Sequence, residues 1–499
     1  MSTERPMRDT TTPCERFVYW GLVGLLFWAP LPFGSNRPWA VAIIVIWVAV
    51  LGLAWSIGWA LGKCAVHSSF YRGRLAFVLL CAWAALVSLQ LLLLPAHWVA
   101  LVSPGAAAVY GEPYGEAARH AITLSIDTSA TARYQLLTLA LVGYFALMLL
   151  VIQRTERLKH FALMLVMSGV MSSVLALYLH FTGAAYTLFF EAMTHEVAKG
   201  PFVNRNHLAA YLEICLASGV GLIVAEISSV QLSTWKQRAR WLLRLLLSSK
   251  VRVRLLLIVM VIALILTRSR MGNSAFFVAL LAGGFIALLC LKAGWKTILL
   301  FLGSMIILDV VVIGSWIGLD HVVKRMQQTA ISADIKQRQG WQEQSVEERT
   351  DQGVSALASI KSFPLVGVGS GAFEAMYPEY KQPGYTMSLD HAHNDYVEFL
   401  VEAGPLGMLL LAALFALLLM RCVLTITRSH RATQRGLALG GVIGLVAIAI
   451  HLTVEFALQI PAVALALTAL MAIGTSAAQA QSFEPNQNAR RNGSGSDED

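Results

Sequence analysis

The stretch DHAHNDYVEFLVEAG, residues 390–404, crowds two histidines, an asparagine and two aspartates against an apolar run, PLGMLLLAALFALLLM. His391, His393 and Asp395 carry donor types that bind metals. His-x-His alone leaves a coordination shell incomplete, and no second His/Glu pair stands at a spacing that would complete it. No metal and no other cofactor is therefore expected. An imidazole here suits proton transfer better: neutral near pH 7, it can take a proton from a hydroxyl, with Asn394 or a carboxylate orienting the ring. The plainer alternative is a pair of histidines tolerated at a polar membrane boundary.

Four further elements carry polar groups next to apolar runs. GPFVNRNHLAAYLE, residues 200–213, offers Asn204, Arg205, Asn206 and His207; a single Asn there would suit a helix N-cap, but four consecutive polar residues ask for more. LTRSRMG, residues 266–272, holds Arg268 and Arg270 in a very short link. Arginines at helix ends lift their charge to the interface. Arg270, beside a helix start, also suits an anion: its planar fork matches phosphate oxygens and the helix N-terminus adds positive potential. Arg349, within VEERTDQGVSAL, is either a solvated charge on a helix face or a ligand for the same anion. IHLTVEFALQIP places His451 and Glu455 four apart, hence on one face if helical, buffering an outer cavity. A carboxylate in hydrocarbon must find a partner or water.

The elements that must position these groups are membrane helices. Of the 499 residues 57% are hydrophobic and only 13% charged, against about a quarter charged in soluble domains. Apolar runs predict about twelve spans: 17–34, 39–62, 75–95, 132–152, 160–182, 206–227, 254–267, 272–291, 298–318, 395–420, 436–454 and 457–475. The chain is thus expected to be an all-α polytopic membrane protein. About two thirds of the 38 Lys and Arg fall on the side of the termini, which makes the termini cytoplasmic and explains the net charge of +9 without nucleic acid. On this topology all six cysteines lie outside the extracytoplasmic loops, so no disulfide framework is expected.

The expected organisation is a cytoplasmic segment 1–16, a bundle 17–318 with an outer loop 96–131, a large helical outer loop 319–394 between spans nine and ten, spans ten to twelve over 395–475, and a disordered cytoplasmic tail 476–499. Loops of such length are usually functional. All of these polar elements are expected on the outer face.

Taken in order, GPFVNRNHLAAYL, LTRSRMG, Arg349 with SFPLVGVGSGAF and MYPEY, HNDYVEFLVEAGPLG and HLTVEFALQIPA resemble the O-antigen ligase and polysaccharide polymerase superfamily of bacterial inner membranes. SIDTSAT, residues 125–131, resembles the stretch before the fourth span of many members. The resemblance covers most of 130–475. It implies a metal-independent glycosyltransferase whose donor is a glycan on undecaprenyl diphosphate and whose site faces the periplasm. His393, beside Asn394, matches the base. Arg270 and Arg349 match arginines that grip the diphosphate, and Arg205 does so less closely. Asn204, Asn206, His391 and Asp395 adjoin the motifs as substrate-binding positions. Glu455 stands where the family pattern suggests aspartate. The implied acceptor is lipid A core, a growing polysaccharide or a protein hydroxyl, giving a ligase, a polymerase or a protein O-oligosaccharyltransferase. A lipid-linked glycan transporter is the alternative of another class; it would bring ionisable groups to the membrane midplane.

Overall fold

The computed structural model describes residues 12–114, 120–152, 154–184, 197–226, 249–290, 303, 353, 355–381 and 389–477. Among these, eight helices are long and apolar enough to cross a membrane: α2 (Pro38–Ala60), α3 (Ser68–Leu91), α6 (Thr128–Val151), α7 (Thr155–Thr182), α8 (Arg205–Glu226), α10 (Arg270–Cys290), α12 (Asp395–Arg428) and α13 (Ala432–His451). Three more helices sit where spans are expected: α1 (Pro13–Trp28), α9 (Ser249–Leu266) and α14 (Pro461–Ala477). With 16 and 17 residues, α1 and α14 are short, and α9 opens on Lys250, Arg252 and Arg254. The ninth expected span, Arg349, most of the large loop and the tail from 478 lie outside the described residues.

The first helix differs from the expected span at both ends for local reasons. The first helix starts earlier than residue 17, because Thr12 caps the Glu15 N–H and Pro13 occupies the first turn. It ends at Trp28, before Pro30 and Pro32, rather than running to residue 34. The loop 96–131, expected to be more than a connection, holds two short helices, α4 (Ala96–Val102) and α5 (Pro104–Tyr114), and a two-residue antiparallel ladder of β1 (Leu94–Pro95) on β2 (Ala121–Ile122).

The centre of the bundle is α8, buried along its length against α13. Glycines make this approach possible. A Cβ on Gly436 would lie 2.2 Å from the Ala225 nitrogen, and one on Gly440 2.6 Å from the Ala217 oxygen. Small residues at four-residue spacing let membrane helices meet backbone to backbone. The result fixes the register of α8 against the end of α13, where two of the polar elements meet.

The long α12 is broken. Gly404, at φ 66° and ψ −178°, and Pro405 interrupt it. This backbone region is open to glycine almost alone. The orphaned carbonyls are taken up by the segment before it: Val368 N–H donates to Val401 O at 2.9 Å and Gly369 N–H to Glu402 O at 3.0 Å. Gln90 on α3 donates to Val366 O and Glu402 O, at 2.7 and 2.9 Å, and accepts from Ser370 N–H at 2.9 Å. A second apolar core forms around this seam, with Trp83, Val99, Phe363, Phe373, Tyr377 and Phe399. The described part of the large loop, including α11 (Phe373–Tyr380), is therefore welded to the kink of α12 rather than resting loosely over it.

Candidate functional site

Four chain breaks meet at one end of α8: the start of α8, the turn between α9 and α10, the segment 389–394 before α12, and the segment 452–460 between α13 and α14. At their centre is Glu455, 2% exposed. The Asn206 side-chain amide donates to its Oε1. Its Oε2 faces His393 Nδ1 at 3.7 Å, within ion-pair reach but too long for a hydrogen bond. Burial pushes the Glu455 carboxyl up, but His393, and with it His207 and His451, outweigh that and hold it below the ordinary carboxylate range.

The neighbouring residue, Phe456, organises three imidazoles. His391 stacks on its ring at 4.1 Å, while His207 and His393 meet it edge-on at 4.8 and 5.0 Å. His393 has a positive φ of 51°. That conformation is uncommon for a residue with a side chain and marks a position held by its surroundings.

His391 belongs to a different contact. Its Nδ1 lies 2.7 Å from Glu398 Oε1, and Glu398 Oε2 accepts from the Ala392 N–H at 2.9 Å. Burial alone would lower the His391 pKa; the Glu398 carboxylate, helped by Asp390 and Glu402, instead raises it to about 9. Asn394 and Asp395 have structural partners. The Asn394 oxygen caps α12 by accepting from Tyr396 and Val397 N–H, so a carboxylate and not this amide faces His393. Asp395 is buried and accepts from Leu458 N–H at 2.8 Å, while its own N–H donates to Leu452 O and Glu455 O. It pins 452–460 to the start of α12.

The start of α8 is built the same way. Asn204 accepts from Asn206 N–H at 2.9 Å, leaving the Asn206 side chain for Glu455. Arg205 is half-buried in the first turn. Across from it, Ser269 caps α10 by accepting from Gly272 N–H at 3.1 Å. A Cβ on Gly272 would lie 2.6 Å from Ala209 Cβ and 3.3 Å from a Glu213 oxygen, so α10 begins directly against the first turns of α8. Arg270 is the first residue of α10 and is exposed; it holds no ion pair among the described residues. Its N-terminal position suits it to an anion.

Residues 255–412 match the O-antigen ligase family. The O-antigen ligase match covers about a third of the chain and includes Arg270, Arg349, His391, His393, Asn394 and Asp395. It supports placement in that superfamily. The chain matches no curated protein.

The structure thus brings together His393, Asn206, His391 and the α8 start, and sets Arg270 at the adjoining helix end. His451 and Glu455 do not share a helix face, because α13 stops at His451 and Glu455 lies in the following segment. His451 Nδ1 instead bonds Glu213 Oε1 at 2.6 Å. Phe456, Glu398 and Glu213 escaped the sequence reading. Glu213 gave one usable signal, a carboxylate inside an otherwise apolar helix. Among the described residues, no group of three His, Cys, Asp or Glu is placed to hold a metal.

Proposed function

We propose that the chain transfers a glycan from undecaprenyl diphosphate to an acceptor hydroxyl at the periplasmic face of a bacterial inner membrane, as an O-antigen ligase-type glycosyltransferase. The observation that carries this reading is the O-antigen ligase match over the stretch that holds both His393 and Arg270.

The acceptor hydroxyl lies against His393. As its oxygen attacks the anomeric carbon, His393 takes the proton, and Glu455 stabilises the imidazolium that forms. The new bond joins the acceptor oxygen to the sugar. The bond that breaks joins the sugar to the diphosphate, which leaves with the electron pair. This is direct displacement with inversion. Arg270, with Arg205 and Arg349, holds the diphosphate and stabilises the charge it gains, usually the largest catalytic contribution. Asn206 fixes Glu455, and Phe456 fixes the ring plane of His393. Exclusion of water from the site would limit hydrolysis of the donor. The termini are cytoplasmic and the bundle has about twelve spans.

Reconstitution tests this. The full chain in nanodiscs is given undecaprenyl-diphosphate-linked oligosaccharide with lipid A core, free polysaccharide or a hydroxyl-bearing peptide, and products are read by mass. Transfer to lipid A core is the expected result; elongation of the donor glycan would make the chain a polymerase instead. His393→Ala and Arg270→Ala are expected to lose about two orders of magnitude in rate. Normal transfer by both would overturn the assignment of the site.

A further inference from the structure

Seven residues into α8 from Asn206, Glu213 is wholly buried, and so is His451 at the end of α13. Their 2.6 Å contact joins the two helices. Taking a carboxylate and an imidazole out of water is costly, and such a pair rarely gains more than apolar packing would. The helices are already joined by the glycine contacts at 436 and 440, so adhesion does not account for the pair. Its place in the chain does. His451 is the last residue of α13, and Glu455 follows four residues later. The His451 carbonyl accepts from Val454 N–H at 3.2 Å, and Leu452 O and Glu455 O both accept from Asp395 N–H. Fixing the His451 ring therefore fixes the corner that carries Glu455. Glu213 Oε2 and His451 Nε2 have no hydrogen-bond partner among the described residues, so each side chain depends on the other.

We propose that the Glu213–His451 pair is a positioning device for the catalytic pair, holding the 451–455 corner against α8. This rests on the reading of His393 and Glu455 given above. Titratable groups facing Glu455 include His393 from the segment before α12, His207 from α8 and His451 from α13; those facing His451 include Glu213, Glu455 and His207.

The test is Glu213→Gln and, separately, His451→Gln in the nanodisc assay, each alone and in a Glu455→Gln background, with single-turnover rates and melting temperatures measured. Either substitution breaks the contact that holds the 451–455 corner against α8. Both variants are expected to lose about tenfold in rate and to keep the donor KM, and to lose at most about twofold more in the Glu455→Gln background, where no carboxylate is left to position. A folded variant with the wild-type rate, or one whose full loss recurs in the Glu455→Gln background, would overturn the positioning role and leave the pair a packing element. His393→Ala, run alongside, separates the two failures. If it keeps full activity, the site reading falls and the positioning role with it. If it loses activity while Glu213→Gln keeps the wild-type rate or adds its full loss to that of Glu455→Gln, only the positioning role falls.

Discussion

Glu455→Gln isolates the contribution of one charge to the proposed transfer. Glutamine keeps the length of the side chain and an oxygen that can accept from Asn206, so the main loss is the negative charge beside His393. Two unit charges at the observed 3.7 Å separation attract by about 4.5 kcal/mol at an effective dielectric of about 20. Only part of that is realised. The His393 side chain is 17% exposed, and water screens the pair. Taking about half, the substitution removes roughly 2 kcal/mol of stabilisation from an imidazolium that forms only as the acceptor proton moves. That is about a 30-fold loss of rate. In the proposed mechanism the imidazolium forms only as the acceptor proton moves, so donor KM should change little.

The assay is single-turnover transfer in nanodiscs, with donor and product resolved by mass. Because the carboxyl is held below its ordinary range, it stays ionised across neutral pH, and the loss should be similar at about pH 6 and about pH 8. Glu455→Asp, which keeps the charge but withdraws it by one methylene, should fall between wild type and Glu455→Gln. The reasoning is refuted if Glu455→Gln transfers within about threefold of wild type while His393→Ala is inactive. His393 would then act without a carboxylate partner.

Two further expectations concern the framework. Gly404→Ala would place a Cβ 2.3 Å from Leu365 O, against backbone that cannot step aside; backbone strain of about 1–3 kcal/mol and the loss of bonds such as Gly369 N–H to Glu402 O should lower the melting temperature and open 365–369 to protease, and a wild-type melting curve would contradict the seam described. His391, with a pKa raised to about 9, should stabilise the fold fully below its unfolded value of about 6.5 and lose that contribution as pH rises through about 9. The contribution is on the order of 3 kcal/mol at most, so thermal stability should fall between those limits in wild type and stay flat in Glu398→Gln; equal slopes would refute it.

How much of this could be read from sequence depends on the range of the interaction. Apolar runs located the helices because lipid exposure is a local property of a segment. Thr12-Pro13 and Gly404-Pro405 are also local signals, a cap and a break, but the span assignment passed over both. The second was absorbed into a single span because the residues on either side remain apolar. The pairing of His451 with Glu455 was the natural local reading, four apart on a helix. It failed because α13 stops at His451, which leaves Glu455 on a turning segment that faces Asn206, 249 positions away in the chain. No local pattern encodes such a contact. What the sequence did supply was the membership of the corner: His391, His393, Asn206 and Arg270 each stand at a chain break, and the fold brings those breaks to adjoining helix ends.

The lengths of the contacts within that corner then divide its histidines and Arg270 by task. His391 and His451 are held at 2.7 and 2.6 Å by Glu398 and Glu213. Each is committed to its partner, and moving either ring would strand a buried carboxylate. His393 faces its carboxylate at 3.7 Å, close enough to feel the charge and too far to be locked by a hydrogen bond. The base of the proposed transfer, which must meet a hydroxyl, take its proton and later release it, would need that latitude, and catalytic contacts often tighten only once substrate is bound. Arg270 stands apart from all three, exposed at a helix N-terminus and holding no ion pair among the described residues. A permanent cation that holds no ion pair among the described residues, beside histidines that each face a carboxylate, is where the proposed transfer would seat the diphosphate of the donor.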